Sequence, residues 1–129
     1  MTVRTALVSI ALAGITAGAA AQQPGFTRKV LQEVDLSVPG HQAVTAIVDF
    51  EPGATAARHT HFGEEIGYVI EGSLVVDQEG KPPVTVNTGQ AFVVPAGTVH
   101  GATNRTSGRT RILSTYIVEK GKPLATPAK

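Results

Sequence analysis

The 129-residue sequence predicts one all-β domain, and three observations carry that expectation. Short apolar runs rich in Val, Ile, Leu, Ala and Thr recur at close, regular spacing, and Gly and Pro punctuate the gaps between them. Beyond residue 25 no window holds apolar residues at three- and four-residue spacing over ten or more positions, so helix content is expected to be low. Fourteen glycines and eight prolines fit a chain of many turns, and an aromatic share of 5% leaves the core to aliphatic side chains. With 42% hydrophobic positions, this length suits a single body rather than two.

The chain divides into three expected segments: a leader over residues 1–21, a β-domain over 26–118 and a loose tail over 119–129. In the leader, "MTVR" supplies one positive charge, "TALVSIALAGITAG" an apolar stretch and Ala19-Ala20-Ala21 a small-residue cleavage site before Gln22. Ser9, Gly14, Thr16 and Gly18 dilute that stretch below a convincing membrane span. An exported protein, periplasmic or secreted, is the expectation. In the domain, "FTRKVLQEVDLSVPG" reads as a patchy strand ending in a Pro39-Gly40 turn, and "AVTAIVDF" as a β-branched strand closed by Pro52-Gly53. "HTHFGEEIGYVIEG", "SLVVD", "PVTV", "AFVVPAG", "TVHGATN" and "TRILSTYIVE" follow as strands, separated by "QEGKP", "NTG" and "RTSG". Phe62-Gly63 breaks the strand between His61 and Glu64. The tail "GKPLATPAK", with Pro123 and Pro127, is expected to bury little.

Charge and cysteine content exclude several functions. Formal net charge is +1, and removal of residues 1–21 takes away Arg4 and no acid, leaving ten basic and ten acidic residues. No Lys/Arg block exceeds two residues, so neither nucleic acid nor an anionic membrane surface is an expected partner. Cysteine is absent, which removes thiolate ligands, disulfides and cysteine nucleophiles together. Any metal must be held by nitrogen and oxygen.

Two of the four histidines, His59 and His61, stand one residue apart and are followed by Glu64 and Glu65. Side chains two apart on a strand share a face, about 6 to 7 Å apart at the backbone, and imidazoles can lean across that gap to one ion. Adjacent glutamates alternate, so only one should join the site. His100, after the turn around Pro95, is the natural third imidazole. His41 lacks suitable neighbours and is expected at the surface. Arg105, Arg109 and Arg111 read as a solvated hairpin and Arg58 as facing away from the site, while Tyr68 and Tyr116 read as strand residues of the core.

Two patterns in these residues resemble a known family. Gly53, five residues, His59-Thr60-His61, three residues, Glu65, six residues and Gly72 match the first cupin motif without a gap. Gly89, five residues, Pro95-Ala96-Gly97, two residues, His100, three residues and Asn104 match the second. The resemblance implies a single-domain cupin jelly-roll barrel of six to eight conserved strands, open at one end. It implies one divalent transition metal ion, Fe, Mn, Ni, Cu or Zn, on His59, His61, Glu65 and His100. Glu65 follows from the register to Gly72, with Glu64 the runner-up, and Gly72, Gly89 and Gly97 become turn positions.

A site of this kind keeps up to two coordination positions open for water, dioxygen or a chelating substrate. The expected function is therefore an exported metal-dependent enzyme, an oxidoreductase of dioxygenase type acting on a small oxygenated molecule. Glu65, released from the ion, would be its catalytic base. A non-catalytic metal-dependent binder, a non-oxidative cupin enzyme such as an isomerase or decarboxylase, and a metal-free scaffold are the alternatives, since fold does not fix function. Open sheet edges predict a homodimer.

Overall fold

The computed structural model describes residues 23–129, and the expected leader over 1–21 lies outside the described residues. Ten strands form: β1 (Phe26–Asp35), β2 (His41–Phe50), β3 (Thr55–Thr60), β4 (Gly63–Glu71), β5 (Ser73–Gln78), β6 (Val84–Asn87), β7 (Ala91–Val94), β8 (His100–Thr103), β9 (Thr110–Glu119) and β10 (Thr126–Pro127). No helix occurs among the described residues. The strands make two five-stranded antiparallel sheets, ordered β1-β2-β9-β4-β7 and β10-β3-β8-β5-β6. Ten strands exceed the six to eight that the motifs implied, with β1 and the two-residue β10 lying at sheet edges.

Alternation along the strands builds the interior. In β2, Val44, Ala46, Val48 and Phe50 are buried while the residues between them are half-buried, and in β9 Thr110, Ile112, Ser114, Tyr116 and Val118 face inward in the same way. The ladder sets Val44 opposite Tyr116 and Tyr116 opposite Glu65, so one inward row crosses three strands of the first sheet. From the second sheet, Ala56, Leu74, Val76 and Val86 complete an aliphatic cluster with Val48, Phe50, Val69 and Ile112. A smaller cluster of Val44, Ala46, Tyr116 and Val118 lies beside it, with Leu124 packed on its side.

The turns fall where Gly and Pro placed them. Gly72, Gly89 and Gly97 all have positive φ, as turn residues should. Gly63 is needed for a different reason: a Cβ there would lie 1.8 Å from the Ile117 carbonyl oxygen, so only glycine lets β4 begin against β9. Asn104, the last residue of the second motif, is fully buried. Its amide nitrogen reaches the carbonyls of Phe50, Glu51 and Gly108, and its oxygen accepts from Thr106. That side chain ties the hairpin before β9 to the end of β2.

The tail departs from expectation. Residues 119–129 were expected to be loose because two prolines and small residues offer little to bury, yet β10 pairs with β3 through Thr126 with Thr60 and Pro127 with His59. Ala128 N–H also donates to the Arg58 carbonyl. Proline is tolerated because β10 is a sheet edge. One apolar side chain, Leu124, gives the segment its anchor.

Candidate metal centre

The two sheets supply the site from opposite sides. His59 stands on β3 and pairs with His100 at the start of β8, so ladder register alone brings these imidazoles together, with ring centroids 4.2 Å apart. Between Ala56 and His59 the β3–β8 register shifts, which re-aims the end of β3. His61 lies past the end of β3, in the link to β4, and its ring centroid is 4.8 Å from that of His59 and 5.0 Å from that of His100. The two imidazoles of the His-Thr-His run therefore meet, as their spacing two apart predicts, His59 from the strand and His61 from one residue past its end. Glu65 comes from β4 on the first sheet. Its parity there matches that of buried Gly67 and Val69, whereas Glu64 points to solvent, so β4 itself selects Glu65.

His61, Glu65 and His100 are buried and His59 is half-buried. One donor atom from each of the four lies within 4.8 Å of the others. Donors about 2.0–2.2 Å from a shared ion stand roughly 3 Å apart when adjacent and about 4.3 Å apart when opposite. The cluster is compact enough for all four donors to turn toward one ion.

The hydrogen bonds behind the rings fix how they face. His59 Nδ1 bonds the Ala57 carbonyl at 2.7 Å, His100 Nδ1 the Thr98 carbonyl at 2.9 Å, and His61 Nδ1 the Leu124 carbonyl. A carbonyl only accepts, so each Nδ1 carries a proton and each ring turns its Nε2 inward. Glu65 Oε2 lies 3.1 Å from His61 Nε2 and 3.3 Å from His100 Nε2. At these distances the carboxylate and the two Nε2 atoms share a cation, either a proton on Nε2 or a metal ion. Three inward imidazole nitrogens and one carboxylate gathered at one point are a donor set that a divalent metal takes.

Electrostatics agree. Burial holds the His59 pKa down at about 4, opposed by its bond to Ala57 and reinforced by His100 and His61, so the ring is neutral near pH 7. For Glu65, burial pushes the carboxyl up, but bonding to His100 and His61 and donation from Ser114 outweigh it, leaving the carboxylate below its usual range. Ser114 Oγ–H donates to Glu65 Oε1 at 2.7 Å with both groups buried. The Tyr116 ring packs 4.9 Å from His61, and burial followed by the nearby Glu65 charge pushes its hydroxyl above the ordinary tyrosine value.

Among these residues, His59, His61, Glu65 and His100 are the four expected from the sequence. Tyr116 is core, as expected, but is also a wall of the site, whereas Tyr68 is exposed. Arg58 faces away, paired with Asp77 and Glu79, and the arginine hairpin is tied by Arg111 to Asp49 and Arg109 to Glu71. Sequence reading missed Ser114, the Leu124 carbonyl and Arg28. Ser114 had a signal: by alternation it shares the inward row of Ile112 and Tyr116, where a hydroxyl needs a partner. The Leu124 carbonyl had none.

With the site in view, comparison with known proteins is informative. Residues 46–116 match the family model described as a cupin domain, over more than half of the chain. The chain belongs to the cupin family. This cupin is 37% identical over 68 residues to the HTH-type transcriptional regulator PuuR of Escherichia coli K12, a match that covers 52% of this chain and 36% of the regulator. It thus spans about a third of the curated relatives it matches. The structure of KdgF from Halomonas sp. is similar with a TM-score of 0.62 and 28% identity, covering 76% of this chain and 84% of that one. An oxalate oxidase in complex with the substrate analogue glycolate is similar with a TM-score of 0.64 and 25% identity, covering 85% of this cupin and 58% of the oxidase chain.

Proposed function

We propose that this cupin is an exported, metal-dependent oxidoreductase of dioxygenase type that acts on a small oxygenated organic molecule. The observation that carries the reading is the inward cluster of three imidazoles and one carboxylate, of which His59, Glu65 and His100 line a largely apolar cavity whose other walls include Phe26, Arg28, Phe50, Leu74 and Tyr116. A bound divalent ion would supply Lewis acidity there and, if redox-active, electron transfer. The chain's own residues do the rest: three backbone carbonyls hold the rings in one tautomer, Ser114 holds Glu65, and the apolar wall excludes water. Glu65 would serve such an ion as an anionic ligand and is the residue proposed as proton acceptor. The likeness to an oxalate oxidase supports the oxidative class.

A second reading has its own support. The 37% identical relative is a transcriptional regulator, which favours a cupin that binds a small molecule through its metal without turning it over. Anaerobic purification followed by elemental analysis, then oxygen-consumption screening against catechols, flavonoids, oxalate and diketones, separates the two. Metal content below about a tenth of an ion per chain, with no loading by Mn, Fe, Ni or Zn, would sink both. A loaded protein silent across the panel favours the binder or a non-oxidative enzyme.

Export rests on the leader pattern in residues 1–21 and predicts a periplasmic or secreted protein beginning near Gln22. Homodimerisation is supported by exposed Val30, Leu31 and Val34 on edge strand β1 and by Ile66, Tyr68, Ile70 and Val93 on the same sheet. A sedimentation mass equal to one chain at micromolar concentration refutes it.

A further inference from the structure

The cavity holds one cation that the metal site does not use. Arg28 sits on β1 opposite Val48, whose side chain is buried in the core, so the arginine enters the interior from the sheet edge. It lines the same cavity as His59, Glu65 and His100. Its guanidinium carbon lies 5.3 Å from the Tyr116 ring centroid and 5.5 Å from that of Phe26, so two aromatic faces hold the group in place. Arg28 Nε is buried with no hydrogen-bond partner, and no carboxylate pairs with this arginine among the described residues. Arg111, on the outer face of the same sheet, is by contrast bound by both oxygens of Asp49.

A buried, unbonded N–H on a charged fork is costly unless a ligand completes it. The fork geometry of guanidinium matches a carboxylate, which accepts two parallel bonds. Tyr116 touches both groups, its ring centroid 4.9 Å from that of His61 and 5.3 Å from the Arg28 guanidinium carbon, so it is a wall common to the cation and the metal cluster. The geometry points to Arg28 as the substrate-anchoring residue, and to short oxygenated carboxylic acids as the ligand class. The acid group sits on Arg28, and a second oxygen is directed at the metal donors that line the same cavity, His59, Glu65 and His100. This deepens the proposed function and rests on it for the metal end alone, because the Arg28 end stands on its own contacts.

The test compares lactate with lactamide, which keeps the shape and hydroxyl and lacks the charge, by calorimetric titration of manganese-treated and chelator-treated protein whose metal content is measured in parallel. Lactate is expected to bind at least about tenfold more tightly than lactamide. Arg28→Gln should remove that preference, and Arg28→Lys should restore part of it, with metal content unchanged in both. Equal binding of lactate and lactamide by the unmodified protein, no lactate binding up to about 10 mM, or an Arg28→Gln variant that keeps the preference overturns the inference. Absence of metal with an Arg28-dependent preference for lactate overturns the metal reading and leaves Arg28 as the acid anchor. The lactate–lactamide comparison needs no variant, so it decides the matter even if substitution unfolds β1.

Discussion

Deleting residues 122–129 should weaken metal binding without touching a ligand. The segment contributes the Leu124 carbonyl that fixes His61 Nδ1, the β10–β3 pairing beside His59 and the Ala128 bond to Arg58. Two hydrogen bonds at about 0.5–1.5 kcal/mol each, with partial burial of Leu124, amount to roughly 2–4 kcal/mol of stability. Loss of a partner that orients a metal-bound imidazole typically lowers metal affinity by about 10- to 100-fold. His59 and His100 keep their own carbonyl partners, Ala57 and Thr98, so the ion should still bind. Competition against a calibrated zinc chelator measures the affinity, and thermal melting checks that the shortened chain folds. Leu124→Ala is the control: it retains the carbonyl, so it should lose stability with little loss of affinity. A folded truncation whose zinc affinity stays within about threefold of the full chain, or a Leu124→Ala variant as impaired as the truncation, refutes the reasoning.

Two further outcomes follow from the same contacts. Ser114→Ala removes the buried donor to Glu65 and should cost about 1.5–3 kcal/mol by chemical denaturation, with weaker metal retention, and an unchanged denaturation midpoint would contradict it. Metal-free protein should also lose stability on acidification. His59 ordinarily titrates at 6.5 and is held at about 4 in the fold, so between these values the unfolded chain takes up a proton that the folded one refuses. Stability therefore falls as pH drops from about 6.5 to about 4, and Asp49, held low by its bond to Arg111, adds a loss at more acidic pH. Equal denaturation midpoints at about pH 7 and about pH 4.5 would show that His59 is not buried as described.

Strand periodicity, turn residues and two spaced motifs made the β-class, the cupin family and the four donors readable along the chain, because each depends on residues near one another or on fixed spacing. Glu65 over Glu64 was decided by β4 pairing with β9, where a one-residue slip would have turned the other carboxylate inward. Ser114 was half-legible, as a hydroxyl in an inward row whose partner only the β4–β9 register names. What composition hid was the tail and Arg28. Pro123 and Pro127 suggest a free end, and an arginine in a patchy first strand suggests solvent. Their roles arise from contacts across 63 residues, between His61 and Leu124, and across the sheet edge, between Arg28 and Tyr116. Local pattern fixes which face a side chain takes. Only the closed pair of sheets determines which distant carbonyl or ring that face meets.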